Sequence, residues 1–146
     1  MNEDSLVYEM FYPYPIEIVW QALTSAEALA QWLMPNDFAP VLGHHFTFQT
    51  APRGGWNGVV KCQVVTLDPP RCVAYSWRGG SPAFDSLVTF TLTALNEQTQ
   101  LRLEHSGFAA AGEAGLHVRD ILGRGWRSHV LQKSLPAVLA RLAEQA

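Results

Sequence analysis

Residues Ser86–Leu95 and Leu101–His105 alternate apolar and polar side chains on either side of a turn at Asn96-Glu97. No other feature restricts the fold as much. Val88, Phe90 and Leu92 share one face with Thr89, Thr91 and Thr93 on the other, and Leu101, Leu103 and His105 oppose Arg102 and Glu104 in the same way. A period of two marks a strand with one dry and one wet face, and two such strands joined by a short turn predict an antiparallel sheet. Leu6–Tyr12, Phe46–Thr50, Val59–Leu67 and Cys72–Trp77 also read as strands, the last two flanking the turn Asp68-Pro69-Pro70-Arg71. Gly54–Gly58 reads as a turn carrying Trp56, and Arg78-Gly79-Gly80-Ser81-Pro82 as a loop.

A sheet with one dry face must be covered, and the helical segments show what covers it. Pro13 and Pro15 end the first strand; Pro15 suits a helix first turn, with Glu17 near the positive end of the dipole. Ile16, Val19, Trp20 and Leu23 then recur at helical spacing. Thr24-Ser25-Ala26-Glu27 has capping-box spacing and restarts the chain as a second helix, whose apolar side is Leu29, Trp32 and Leu33 and which Pro35 ends. Ser106–Gly115 is a Gly/Ala-rich loop. From Leu116 onward the pattern is helical: Trp126 and Val130 are followed by a stripe of Leu131, Leu135, Val138 and Leu142, with Pro136 placed to kink the helix. The predicted fold is α+β, a curved antiparallel sheet of about six or seven strands wrapped around a long C-terminal helix. Two short helices follow strand 1, and residues 1–146 form a single domain.

At this length the area scaling buries about 68% of the extended chain's surface, enough for a core without disulfide or metal. Hydrophobic residues are 48% of the chain and charged ones only 16%, which excludes a disordered chain. Ten basic and thirteen acidic residues give −3, so there is no electrostatic footprint for nucleic acid. No apolar run approaches the ~18 residues of a membrane span, and the acidic, polar start MNEDS predicts a cytoplasmic protein. In a tight hairpin Cys62 faces Trp77 and Cys72 faces Leu67, which puts the two sulfurs on the order of 16 Å apart and predicts two reduced thiols.

The ordered set of residues resembles the START/SRPBCC helix-grip superfamily, and within it the heat-shock-protein-90 ATPase activator (Aha-type) homologues. The matching pieces are Pro15-x-x-x-Val19-Trp20-x-Ala22-Leu23-Thr24, Leu29-x-x-Trp32-Leu33, Gly43-x-x-Phe46-x-Phe48 and Gly58-Val59-Val60. Pro70-x-x-x-Ala74-Tyr75-Ser76-Trp77, Val88-Thr89-Phe90-x-Leu92, Thr99-x-Leu101-x-Leu103-x-His105-Ser106-Gly107-Phe108 and Gly125-Trp126 complete it, over roughly residues 6 to 143. His44 stands where the family often carries a second glycine. The resemblance implies the helix-grip fold and a cavity under the helix that takes apolar molecules in many members. Some members are cyclases or hydrolases, and some stimulate a chaperone.

Strand parity places His105 inward, where a neutral imidazole could orient a ligand or act as a base; the plainer reading is a satisfied core histidine. Tyr75 shares a face with Val73 and Trp77 and offers a second polar anchor, or is an ordinary core tyrosine. The expected ligand cavity is lined by Trp32, Phe48, Trp56, Tyr75, Trp77, Phe90, Leu103, His105, Trp126 and Val130, with Arg78, Asp85 and Arg119 at its rim; the plainer readings are that these rings fill the core and that the three charges are solvated surface groups. His44, His45, His105, His117 and His129 show no metal-ligand spacing. No Gly-x-Ser-x-Gly occurs, and Gly123-Arg124-Gly125 lacks the rest of a nucleotide fingerprint. No catalytic residue, metal or cofactor is therefore assigned. The leading reading is non-catalytic binding of a small apolar or aromatic molecule. A chaperone-docking module and a cyclase- or hydrolase-type enzyme using His105 remain as alternatives, and the apolar surface is compatible with a homodimer.

Overall fold

The computed structural model describes residues 4–52, 55–79 and 83–146. The expected turn residue Gly54 and the loop residues Gly80, Ser81 and Pro82 lie outside them. Six strands form one antiparallel sheet: β1 (Ser5–Tyr12), β2 (His45–Gln49), β3 (Val59–Asp68), β4 (Cys72–Gly79), β5 (Phe84–Leu95) and β6 (Gln98–Ser106). The order is β1-β6-β5-β4-β3-β2, so β2 to β6 are sequential neighbours and β1 closes the far edge against β6. The alternation of β5 and β6 translates directly into two faces: Val88, Phe90, Leu92, Leu101, Leu103 and His105 are buried, while Arg102 pairs with Glu104 outside. Asn96 adopts φ 62° in the turn between them, a left-handed conformation that asparagine tolerates well.

In the β3–β4 hairpin Cys62 faces Trp77 as expected, but Cys72 faces Asp68 and not Leu67. A bulge between Val64 and Thr66 inserts one residue, which shifts everything nearer the turn by one. Both thiols are free. Before β2, Gly43 at φ 85° makes the bend alone. His44 continues the chain outward, its Nε2 2.9 Å from Asp37 O and its ring stacked on Phe46.

Two short helices, α1 (Ile16–Thr24) and α2 (Ala26–Trp32), follow β1. The buried face of α1 is Ile18, Val19, Ala22 and Leu23; Ile16 and Trp20 are only partly covered, so the apolar stripe is rotated from the expected one. The break between the helices is capped by Ser25, whose hydroxyl accepts from Ala28 N–H, and not by Thr24, which donates back to Trp20 O.

The C-terminal helix begins at Gly112, earlier than the expected Leu116, after a 3₁₀ turn at Ala109–Ala111. It is also not one α-helix: α3 (Gly112–Arg124) passes into a π-helical segment (Gly125–Ser134) and then α4 (Leu135–Gln145). The i→i+5 ladder brings residues four and five apart to one side, and Trp126, Val130, Leu131 and Leu135 are all buried. Pro136 sits in the first turn of α4, where the ladder changes, and not at a mid-helix kink. Leu135 N–H still reaches Val130 O; the next donor in that register would serve Leu131 O, but proline has none. Tyr12 supplies it, its hydroxyl donating to Leu131 O at 2.8 Å. At the other end, Gly123 lets α3 approach β1, because a Cβ there would lie 2.9 Å from Tyr8 Oη. Among the described residues no helix is long and apolar enough to cross a membrane.

Candidate functional site

The concave face of the sheet and the inner face of the C-terminal helix meet in a layer of aromatic rings. Nine of the ten residues expected to line a cavity are buried there: Trp32, Phe48, Tyr75, Trp77, Phe90, Leu103, His105, Trp126 and Val130. Trp32 meets Phe90 edge-on at 6.1 Å, Tyr75 lies 6.0 Å from Phe48 and 6.2 Å from Phe90, and Trp77 lies 5.4 Å from Phe48 and 5.8 Å from Trp126. These are contact separations, so the rings pack on one another. Phe38 and Phe46, which sequence reasoning left off the list, complete the wall around Tyr75. The parity of Phe46 with Phe48 was the available signal for one of them.

His105 is fully enclosed, and its partners settle its chemistry. Trp126 Nε1–H, which can only donate, points at Nδ1 from 3.2 Å, so Nδ1 is the unprotonated nitrogen. The proton is then on Nε2, which donates to Ser86 Oγ at 2.8 Å, and Ser86 passes its own hydroxyl proton to Trp77 O at 2.9 Å. Burial lowers the His105 pKa to about 3, consistent with a neutral ring. The relay ends on a backbone carbonyl and leaves neither ring nitrogen for a substrate. Ser86 resembles an activated nucleophile by distance only, because it accepts from the imidazole instead of donating to it. Ser86 shares the inward parity of Val88 and Phe90, which marks it in the sequence as a partner for His105.

Tyr75 is the opposite case. It is fully buried, and its hydroxyl has no hydrogen-bond partner among the described residues. Burial first, and then the Cys62 sulfur, push its pKa well up, and burial with a lesser contribution from Asp37 pushes the Cys62 thiol up to about 12. Both groups stay neutral. A phenol hydroxyl without a partner in an apolar wall is an unusual thing for a core to keep.

Trp56, the tenth residue, is only partly buried, and its Nε1–H donates to Val59 O at 3.3 Å. It packs against the edge of the buried cluster and also walls an open pocket of about 260 Å³ with Val59, Lys61, Arg78, Gly79 and Ala83. Arg78 pairs with Asp85 at 3.1 Å beside this pocket; Arg119 is on α3, bonded to Asp120, and does not reach it. A smaller pocket of about 110 Å³ lies between α2 and α4, lined by Gln31, Arg141 and Leu142 among others. No group of three or more metal-ligating side chains occurs among the described residues.

The family model described as Activator of Hsp90 ATPase homolog 1-like protein matches residues 13–140. No curated protein matches the chain. Among solved structures, the protein MLL2253 from Mesorhizobium loti is 30% identical, with 97% of this chain and 98% of that chain covered and a TM-score of 0.76. The protein BH1534 from Bacillus halodurans is 28% identical over 92% of this chain and 96% of its own, with a TM-score of 0.73. PFC0360w, an HSP90 activator from Plasmodium falciparum, shares the fold at a TM-score of 0.69 and 20% identity, over 88% of this chain and 91% of that one.

Proposed function

The chain belongs to the Activator of Hsp90 ATPase homolog 1-like family, and for this member we propose non-catalytic binding of a small aromatic or apolar molecule. The ligand sits between the curved sheet and the C-terminal helix. The observation that carries this reading is the Tyr75 hydroxyl, sealed among rings with no partner. A ligand carrying one carbonyl or hydroxyl group satisfies it and so recovers the ~1–3 kcal/mol that an unpaired buried group costs. Burying about 200 Å² of flat apolar surface adds ~5 kcal/mol at ~25 cal/mol per Å². Entry requires the rings to part, and the change of ladder at Gly125–Ser134 puts the least regular turn of the helix over them.

Native mass spectrometry of freshly purified protein, compared with the denatured mass, is the test. Expected is a reproducible mass excess that falls in Tyr75→Phe, while that variant, freed of an orphaned hydroxyl, is at least as stable as the parent when empty. A ligand-free spectrum, together with no thermal shift from a set of one- to three-ring aromatic compounds, overturns the reading. The family's description supports a second reading, contact with a heat-shock-protein-90-type chaperone. Its test is whether the purified protein changes the turnover of such an ATPase.

A further inference from the structure

The solvent side of the C-terminal helix has a charge unlike the rest of the molecule. Between Asp120 and Glu144 there is no acidic residue, but there are Arg124, Arg127, Lys133 and Arg141, and His129 beside them. In a chain of net charge −3 this segment carries +4, which leaves −7 on the remainder. All five side chains are exposed. The ion pairs among the described residues engage Arg71, Arg78, Arg102 and Arg119, and none of these helix cations. Arg124 to Lys133 spans about 13 Å at ~1.5 Å per residue, so neighbouring charges sit within about one Debye length and act together.

We infer that this basic face is a docking surface for an acidic, exposed segment of a partner protein. A lipid surface fits less well, because no large apolar side chain is exposed between Arg124 and Arg141 to insert into it; Ile121 lies beyond the end of the stripe. An extended polyanion such as duplex nucleic acid meets the negative remainder as well as the stripe, whereas a short acidic segment meets the stripe alone. The inference needs neither reading of the interior, since the cations are on the side of the helix away from Trp126 and Val130.

The experiment is fluorescence anisotropy of a labelled 16-residue Glu/Ser peptide with the full chain. Expected is binding at 50 mM NaCl that weakens at least tenfold at 300 mM and at least tenfold in the triple variant Arg124→Glu, Arg127→Glu, Lys133→Glu. Lys61→Glu, which reverses one cation of the sheet instead, stays within twofold of the parent. Should the triple variant not fold, Arg124→Gln, Arg127→Gln and Lys133→Gln are each expected to weaken binding two- to threefold. No binding at 50 mM, undiminished binding by the folded charge variants, or capture of phosphatidylserine vesicles or duplex DNA but not the peptide overturns the proposal.

Discussion

Trp126 and His105 hold each other in one protonation state: the indole N–H, 3.2 Å from Nδ1, allows the imidazole only its Nε2–H form. The helix thereby dictates the tautomer of a strand residue, and through it the direction of the bonds that run on to Ser86 and Trp77. The histidine that parity singled out as an interior polar group stitches helix to sheet.

Acid should loosen this stitch. The native ring resists protonation down to about 3, while the unfolded ring takes its proton near 6.5. Between those values the unfolded state binds the extra proton, so stability is full above about pH 6.5 and falls as pH drops. At pH 5 the loss is about 2 kcal/mol. Urea midpoints by tryptophan fluorescence at pH 7 and pH 5 check this, and the difference is expected to shrink in His105→Gln.

Tyr12→Phe should cost about 1–3 kcal/mol, because Leu131 O then lies buried beside a proline that cannot serve it. Pro136→Ala restores a backbone donor in the helix, so the Tyr12→Phe penalty is expected to be smaller in that background. A double-mutant cycle from chemical denaturation reads the coupling, and strict additivity would contradict the account.

Ser25→Ala should cost about 1 kcal/mol through loss of the α2 N-cap, and Thr24→Ala only a few tenths. Equal costs, or a larger one at Thr24, would return the cap to the residue that the capping-box spacing favoured.

The parts of the fold governed by strict periodicity were legible. Thr89, Thr91 and Thr93 announce the wet face of β5, and the faces of β6 follow from Arg102 and Glu104. What was hidden depended on choices that adjacent residues left open. Thr24 and Ser25 are both capping residues, and Val64-Val65-Thr66 carries no mark of a bulge because all three suit a strand. The π-helical segment was written in the stripe, since Trp126 to Leu131 and Val130 to Leu135 are both five apart, a spacing a regular α-helix does not keep on one face. At the site, parity found Tyr75 and His105 but could not tell which was satisfied, as that depends on Trp126 arriving from a distant helix. Composition groups Trp56 with the interior, and it does pack against the edge of the core, but its turn also holds it at the open pocket.

The place of β1 in the sheet has a consequence for how the chain is made. Strands β2 to β6 pair with the neighbour just before or after them, so that part of the sheet can zip up as it is synthesised. The first strand pairs only with the last, Leu6 against His105 and Tyr12 against Thr99. Closing that loop of roughly 90 residues costs about 4 kcal/mol in chain entropy beyond a constant. On the ribosome, Ser5–Tyr12 therefore waits with Tyr8, Met10 and Tyr12 uncovered until β6 clears the exit, and a strand made early is held open until the sheet is otherwise complete.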